Sequence, residues 1–191
     1  YKMENPLTST NQADKKTRLE EGKSDLQALI HGSSQNGQSR TNFFFDNINL
    51  PEVINYLASM VIASNHDCCH KNYYVYRDSE GTGEWQVFPW DVNLSFGHRF
   101  TSNSSHFDDK LYFTNPLWIG SPAAFTNPTE NVLITPLYET PAIREMYLRR
   151  LRTLMDELLQ PPGTYSTELK MEQRLDELVA WVDPNDDPNP N

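Results

Sequence analysis

Apolar positions recur with helical spacing in several parts of the chain. Leu50, Ile54, Leu57 and Val61 follow one another at steps of four, three and four, which predicts a helix with one buried face. Pro51 suits its first turn. A second set, Ile143, Tyr147, Leu151, Leu154 and Leu158, predicts a helix capped by Thr140, with Pro141 in its first turn. Arg144, Arg149, Arg150 and Arg152 interleave with that set and read as its solvated face. Pro161-Pro162-Gly163 breaks the pattern, and a last helix is expected from about Ser166 to Val182, with Leu175, Leu178, Val179 and Val182 inward. Nearer the start, Ser24-Asp25-Leu26-Gln27 matches a capping box; Leu26, Leu29 and Ile30 give a short apolar face that Gly32 should end. Gly32–Arg40 is expected to be a flexible loop, and the run Phe43–Phe45 to be buried.

Between the two long helical patterns the period changes. Asn72–Arg77 (NYYVYR) and Glu84–Pro89 (EWQVFP) are aromatic and β-branched, as strands prefer, and Asp78–Gly83 is rich in turn formers. Two strands with so short a link predict an antiparallel hairpin. If the turn centres on Glu80–Gly81, Asn72 falls opposite Pro89 or Trp90, and Asp91 is one step away. The fold class is therefore α+β, mostly helical, with a central hairpin. His98–Thr135 reads as a long irregular span; its Phe100, Phe107, Tyr112, Phe113, Trp118 and Phe125 suggest that it packs onto the body. Tyr1–Gly22 is polar and reads as a linker or arm. The domain organisation expected is an arm over 1–23, one folded domain over 24–182 and a Pro-rich polar linker over 183–191.

Composition narrows the partners. The 191 residues carry a formal net charge of −10, which disfavours nucleic acid and favours a basic protein partner. No apolar run is long enough to span a membrane. The two cysteines, Cys68 and Cys69, are adjacent; vicinal cysteines rarely bridge, so both are expected to be small packing residues.

The candidate chemistry sits around the hairpin. Asp67 lies five residues before Asn72, in the loop feeding the end where Asp91 emerges. One amide and two carboxylates converging there would suit a hard cation such as magnesium. Asp, four residues, Asn, a strand–turn–strand and another Asp is also the layout of a protein-kinase catalytic centre. There the first Asp accepts the substrate hydroxyl proton, while the Asn and the later Asp hold metal. The plain alternative is loop capping and hairpin-end hydrogen bonding, which Asp and Asn often perform. A zinc site from His66, Cys68, Cys69 and His70 is disfavoured because neighbouring residues seldom reach one tetrahedral ion together. Trp85 and Trp90 read as core, although Trp90 could instead wall the site. The DFG triplet is absent, and no Gly-rich loop or VAIK-type lysine is visible.

The stretch from Asn65 to Gly97 resembles the CotH family, spore-coat protein kinases with an atypical kinase-like fold. The resemblance rests on Asn65, Asp67, Asn72-Tyr73-Tyr74-Val75-Tyr76, Trp85, Pro89-Trp90-Asp91 and Leu94-Ser95-Phe96-Gly97, and extends more weakly over most of the chain. It implies a C-terminal-lobe portion of the domain, with the nucleotide-covering N-terminal lobe expected to be missing. It implies transfer of the ATP γ-phosphoryl to Ser or Thr of a protein substrate, basic and Ser/Thr-rich. Asp67 would be catalytic; Asn72, Asp91 and Asn93 would hold Mg2+ or Mn2+; Asn65 and Trp90 would support them. A spore-coat, cell-surface or secreted setting follows from the same resemblance. Where the family pattern usually has a second acid, this chain has Asn93, which offers oxygen without charge. A catalytically weak or inactive surface or coat-binding module is the alternative.

Overall fold

The computed structural model describes residues 12–65, 68–69, 72–96, 98–101, 104–107 and 131–182, with backbone only for 12–19, 98–101 and 104–107. In chain order these form α1 (Gln12–Ser33), α2 (Gly37–Asn47), α3 (Leu50–Ile62), β1 (Tyr73–Arg77), β2 (Trp85–Pro89), β3 (His98–Thr101), β4 (Ser104–Phe107), α4 (Ile134–Glu139), α5 (Pro141–Leu158), a 3-10 turn (Ser166–Glu168) and α6 (Lys170–Val182). The chain is mostly helical with antiparallel hairpins, in the class expected.

The core is built on α3 against α5. Asn49 caps α3 by accepting the Glu52 N–H at 3.3 Å, and Pro51 occupies its first turn, so the helix starts where sequence and backbone chemistry agree. Leu50, Val53, Ile54, Tyr56, Leu57 and Ala58 turn inward. From α5, Ile143, Tyr147, Leu151 and Leu154 meet them. Tyr138 of α4 lies edge-on to Tyr147, ring centroids 5.0 Å apart. Burial raises both phenols, Tyr147 to about 12, because the charged phenolate loses its solvation there.

β1 and β2 pair antiparallel in one register, from Tyr73 opposite Pro89 to Arg77 opposite Trp85. Asp78 organises the turn: its carboxylate accepts the Gly81 N–H at 3.0 Å and its carbonyl the Gly83 N–H at 2.8 Å. Gly83 there has φ +75°, a conformation that costs glycine little. Several contacts fasten the hairpin to the body. Trp85 and Val87 face the core, Arg77 pairs with Asp25 of α1 at 2.7 Å, and the Asn49 N–H donates to the Trp85 carbonyl at 2.9 Å.

Several expectations need correction. α1 begins at Gln12, so the Ser24 capping box lies within a helix already running, and Gln12–Gly22 is helical rather than an arm. That stretch is rich in Lys, Glu and Arg, which favour helix without leaving an apolar stripe to detect. The loop expected over Gly32–Arg40 is confined to Ser34–Asn36, because α2 starts at Gly37. Of the aromatic run only Phe44 is fully buried, and Phe45 is exposed. Phe43 packs against Gly32, where any Cβ would overlap its ring. The span read as irregular contains β3, β4 and the first residues of α4, which runs on to Glu139. Its aromatics Tyr112, Phe113, Trp118 and Phe125 lie outside the described residues, as does 183–191. Leu175, Leu178, Val179 and Val182 of α6 are exposed, not inward. Cys68 and Cys69 are buried in the core, as expected of small packing residues, but are joined as a vicinal disulfide rather than standing as separate thiols.

Candidate functional site

The site is assembled where α3 ends and the hairpin opens. Beyond α3, Ser64 takes φ +49°, and the chain turns so that Asn65 is only 4 % exposed. The Asn65 side-chain amide donates to Ser95 Oγ at 2.9 Å, and Ser95 Oγ donates to the Val92 carbonyl at 2.7 Å. The Phe96 N–H donates to the Ala63 carbonyl at 2.7 Å. The exit of α3 and the segment following Asp91 are thereby bound side by side. A buried amide with a hydroxyl partner is costly to unpair, so this contact fixes the two segments as well as joining them.

Across the open end of the hairpin the Trp90 N–H donates to the Asn72 carbonyl at 3.1 Å. Asn72 thus stands opposite Trp90, in the register expected, with Asp91 next along the chain. Both Asn72 (φ +61°) and Asp91 (φ +52°) are left-handed, as are Ser64 and Phe96 (φ +53°). These four are the left-handed non-glycine residues among those described. Asn and Asp tolerate that region better than most residues, but each instance has an energetic cost that the surroundings must offset. All four bracket this one site.

The side chains of Asp91 and Asn93 are exposed, and that of Asn72 is half-buried. Asp67 lies outside the described residues, as do His66 and His70. Asn72 and Asp91 are brought together through the backbone, and Asn65 is brought to the turn that carries Asn93. Trp90, expected in the core, is 57 % exposed and lies edge-on to Tyr74 at 5.3 Å between ring centroids. It walls the open end of the hairpin instead. Trp85 meets its expectation by packing on the core.

A hard cation accepts oxygen donors, and Asn72, Asp91 and Asn93 offer only those. Among the described residues no group of three His, Cys, Asp or Glu is placed to hold a metal ion. Asp91 is the one carboxylate that the described residues contribute to the expected set.

Tyr56, Cys68, Cys69, Tyr73 and Asn131 form a polar cluster that the sequence reading missed. Tyr56 Oη sits 3.1 Å from Cys68 Sγ. Asn131 donates through its amide to the Cys69 carbonyl at 2.7 Å and to Tyr73 Oη at 2.9 Å. Burial raises the Tyr73 phenol, and the Asn131 bond works the other way. The one available signal was an Asn shortly before the apolar run Val132–Ile134, a common helix-entry pattern.

A family model described as CotH kinase protein matches residues 2–188. The chain belongs to the CotH family. The match takes in Asn65, Asn72, Trp90, Asp91 and Asn131 together, so the site lies wholly within the CotH region. No curated protein and no solved structure matched the chain. Among the described residues no helix is long and apolar enough to cross a membrane.

Proposed function

We propose that this CotH chain carries the catalytic part of an atypical protein kinase, which transfers the γ-phosphoryl of ATP to a Ser or Thr hydroxyl of a protein. The observation that carries the reading is the pair of ties at the open end of the hairpin. Trp90 N–H to Asn72 sets Asn72 beside Asp91, and Asn65 to Ser95 sets the entry of the Asp67 loop beside the segment after Asp91. Asp67 accepts the proton of the substrate hydroxyl as its oxygen forms a bond to the γ-phosphorus. The bond from that phosphorus to the bridging oxygen breaks, and ADP leaves. Asn72, Asp91 and Asn93 are the residues that would hold Mg2+ or Mn2+, and a bound divalent ion would neutralise the phosphate charge that develops. The acidic surface suits a basic, Ser/Thr-rich substrate. A spore-coat, cell-surface or secreted setting accords with the family. The test is transfer of labelled phosphate from ATP to a basic protein, with Asp91→Ala as control. Transfer should fall at least 100-fold in the variant, in line with loss of a phosphate-neutralising ion; equal signal from both overturns the assignment.

One observation favours a second reading. Asn93 stands where the family usually has an acid, leaving Asp91 as the single carboxylate of the W-D-x-N segment. A catalytically inactive CotH module that binds surface or coat proteins would keep the hairpin and its ties without needing that charge. Magnesium-dependent ATP binding separates the two readings.

A further inference from the structure

We infer that Asn131 is a positioning residue for Asn72, an assignment that rests on the phosphotransfer reading above. Its side chain is saturated. Oδ1 accepts the N–H groups of Leu133 at 3.0 Å and Ile134 at 2.7 Å, at the entry to α4. Nδ2 spends its two hydrogens on the Cys69 carbonyl and on Tyr73 Oη. An amide has two donor hydrogens and two acceptor lone pairs, so all four positions are taken. The orientation is fixed by chemistry: a reversed amide would turn its NH2 toward two backbone N–H donors and its oxygen toward a carbonyl.

The two donated bonds land on either side of Asn72. Cys69 is two residues beyond Asp67, and Tyr73 is the residue after Asn72. One side chain therefore ties the chain down on both sides of the proposed metal ligand Asn72. The partners are distant in sequence, 62 residues for Cys69 and 58 for Tyr73, so the loop cannot supply this restraint itself. The anchor is firm because α4 is packed into the core through Ile134, Leu137 and Tyr138. Catalytic groups must be held to within about half an ångström, and outer partners that orient ligands are worth roughly 10–100-fold in metal affinity or activity.

Asn131→Asp separates this role from simple helix capping. A carboxylate still accepts from Leu133 and Ile134, but it cannot donate to Cys69 or Tyr73. Amide hydrogen exchange followed by mass spectrometry on the whole chain should show exchange over 66–73 rising at least fivefold, with α4 still protected. Asn131→Ala should loosen both regions, and Tyr73→Phe should loosen the loop less than Asn131→Asp. With Mn2+ as the probe, the resonance of the bound ion should report an affinity about tenfold weaker in Asn131→Asp. Exchange over 66–73 matching wild type overturns the proposal. A loosened loop with unchanged Mn2+ affinity overturns it as well, leaving Asn131 a structural tie alone. If the wild type binds no Mn2+, the phosphotransfer reading fails, and with it the positioning role; the exchange arm then still decides whether the tie exists.

Discussion

α5 and α6 carry equally regular apolar periodicity, yet they end in opposite states. In α5 the positions Ile143, Tyr147, Leu151 and Leu154 are all buried, interlocked with α3 and α4. In α6 Leu175, Leu178, Val179 and Val182 form just as regular a stripe, and none is buried. Trp181 close by lies under the guanidinium of Arg174, 5.1 Å from its ring centroid. Periodicity specifies which face of a helix is apolar; it does not specify what covers that face. The covering element must be delivered by the rest of the chain, and for α5 the tight α4–α5 connection at Thr140 does so.

Three measurements sharpen this contrast. The largest effect is expected for Leu151→Ala, which removes buried volume between α5 and α3. It should cost about 2–5 kcal/mol in a urea titration, the range for large-to-small core changes; a cost under about 1 kcal/mol would mean that α5 is not packed as described. An intermediate effect is expected from pH. The Tyr147 phenol ionises near pH 12 when folded and near 10 when unfolded, so its contribution is intact below pH 10 and disappears as pH rises to 12. The loss should be on the order of 2 kcal/mol between those limits, and Tyr147→Phe should flatten that slope in urea titrations at pH 9 to 12. The smallest effect is expected for Leu178→Ala, which should change stability by no more than about 0.5 kcal/mol. A loss comparable with that of Leu151→Ala would show that something covers α6 in solution.

Much of the framework was readable from the chain. α3, α5 and the register of β1 on β2 follow from local spacing and turn chemistry, and Asn72 opposite Trp90 followed from the register. The first half of α1 was not readable, because a charged helix without an apolar stripe has the composition of an arm. α4 was hidden in a stretch whose prolines and asparagines look like loop, Pro136 among them. At the site, Asp91 beside Asn72 could be deduced from pairing alone. The contacts of Asn65 with Ser95 and of Asn131 with Cys69 could not, since they join residues 30 and 62 positions apart. Nothing local encodes such a meeting. Trp90 was misjudged for a related reason: its size suggests burial, but strand alternation puts it on the outer face with Tyr74, Tyr76 and Phe88.

α3 is gripped at both extremities by the same stretch of chain, through Trp85 to Asn49 at its beginning and Phe96 to Ala63 at its end. Thirteen helical residues separate those grips, a span of roughly 20 Å. The ribbon is in effect suspended from a rigid beam at two points, so it cannot rock about either without rupturing the other. A disturbance at Ile48, which bridges to Trp85 at one of those points, would accordingly tilt the whole suspended piece and be felt at Asp91.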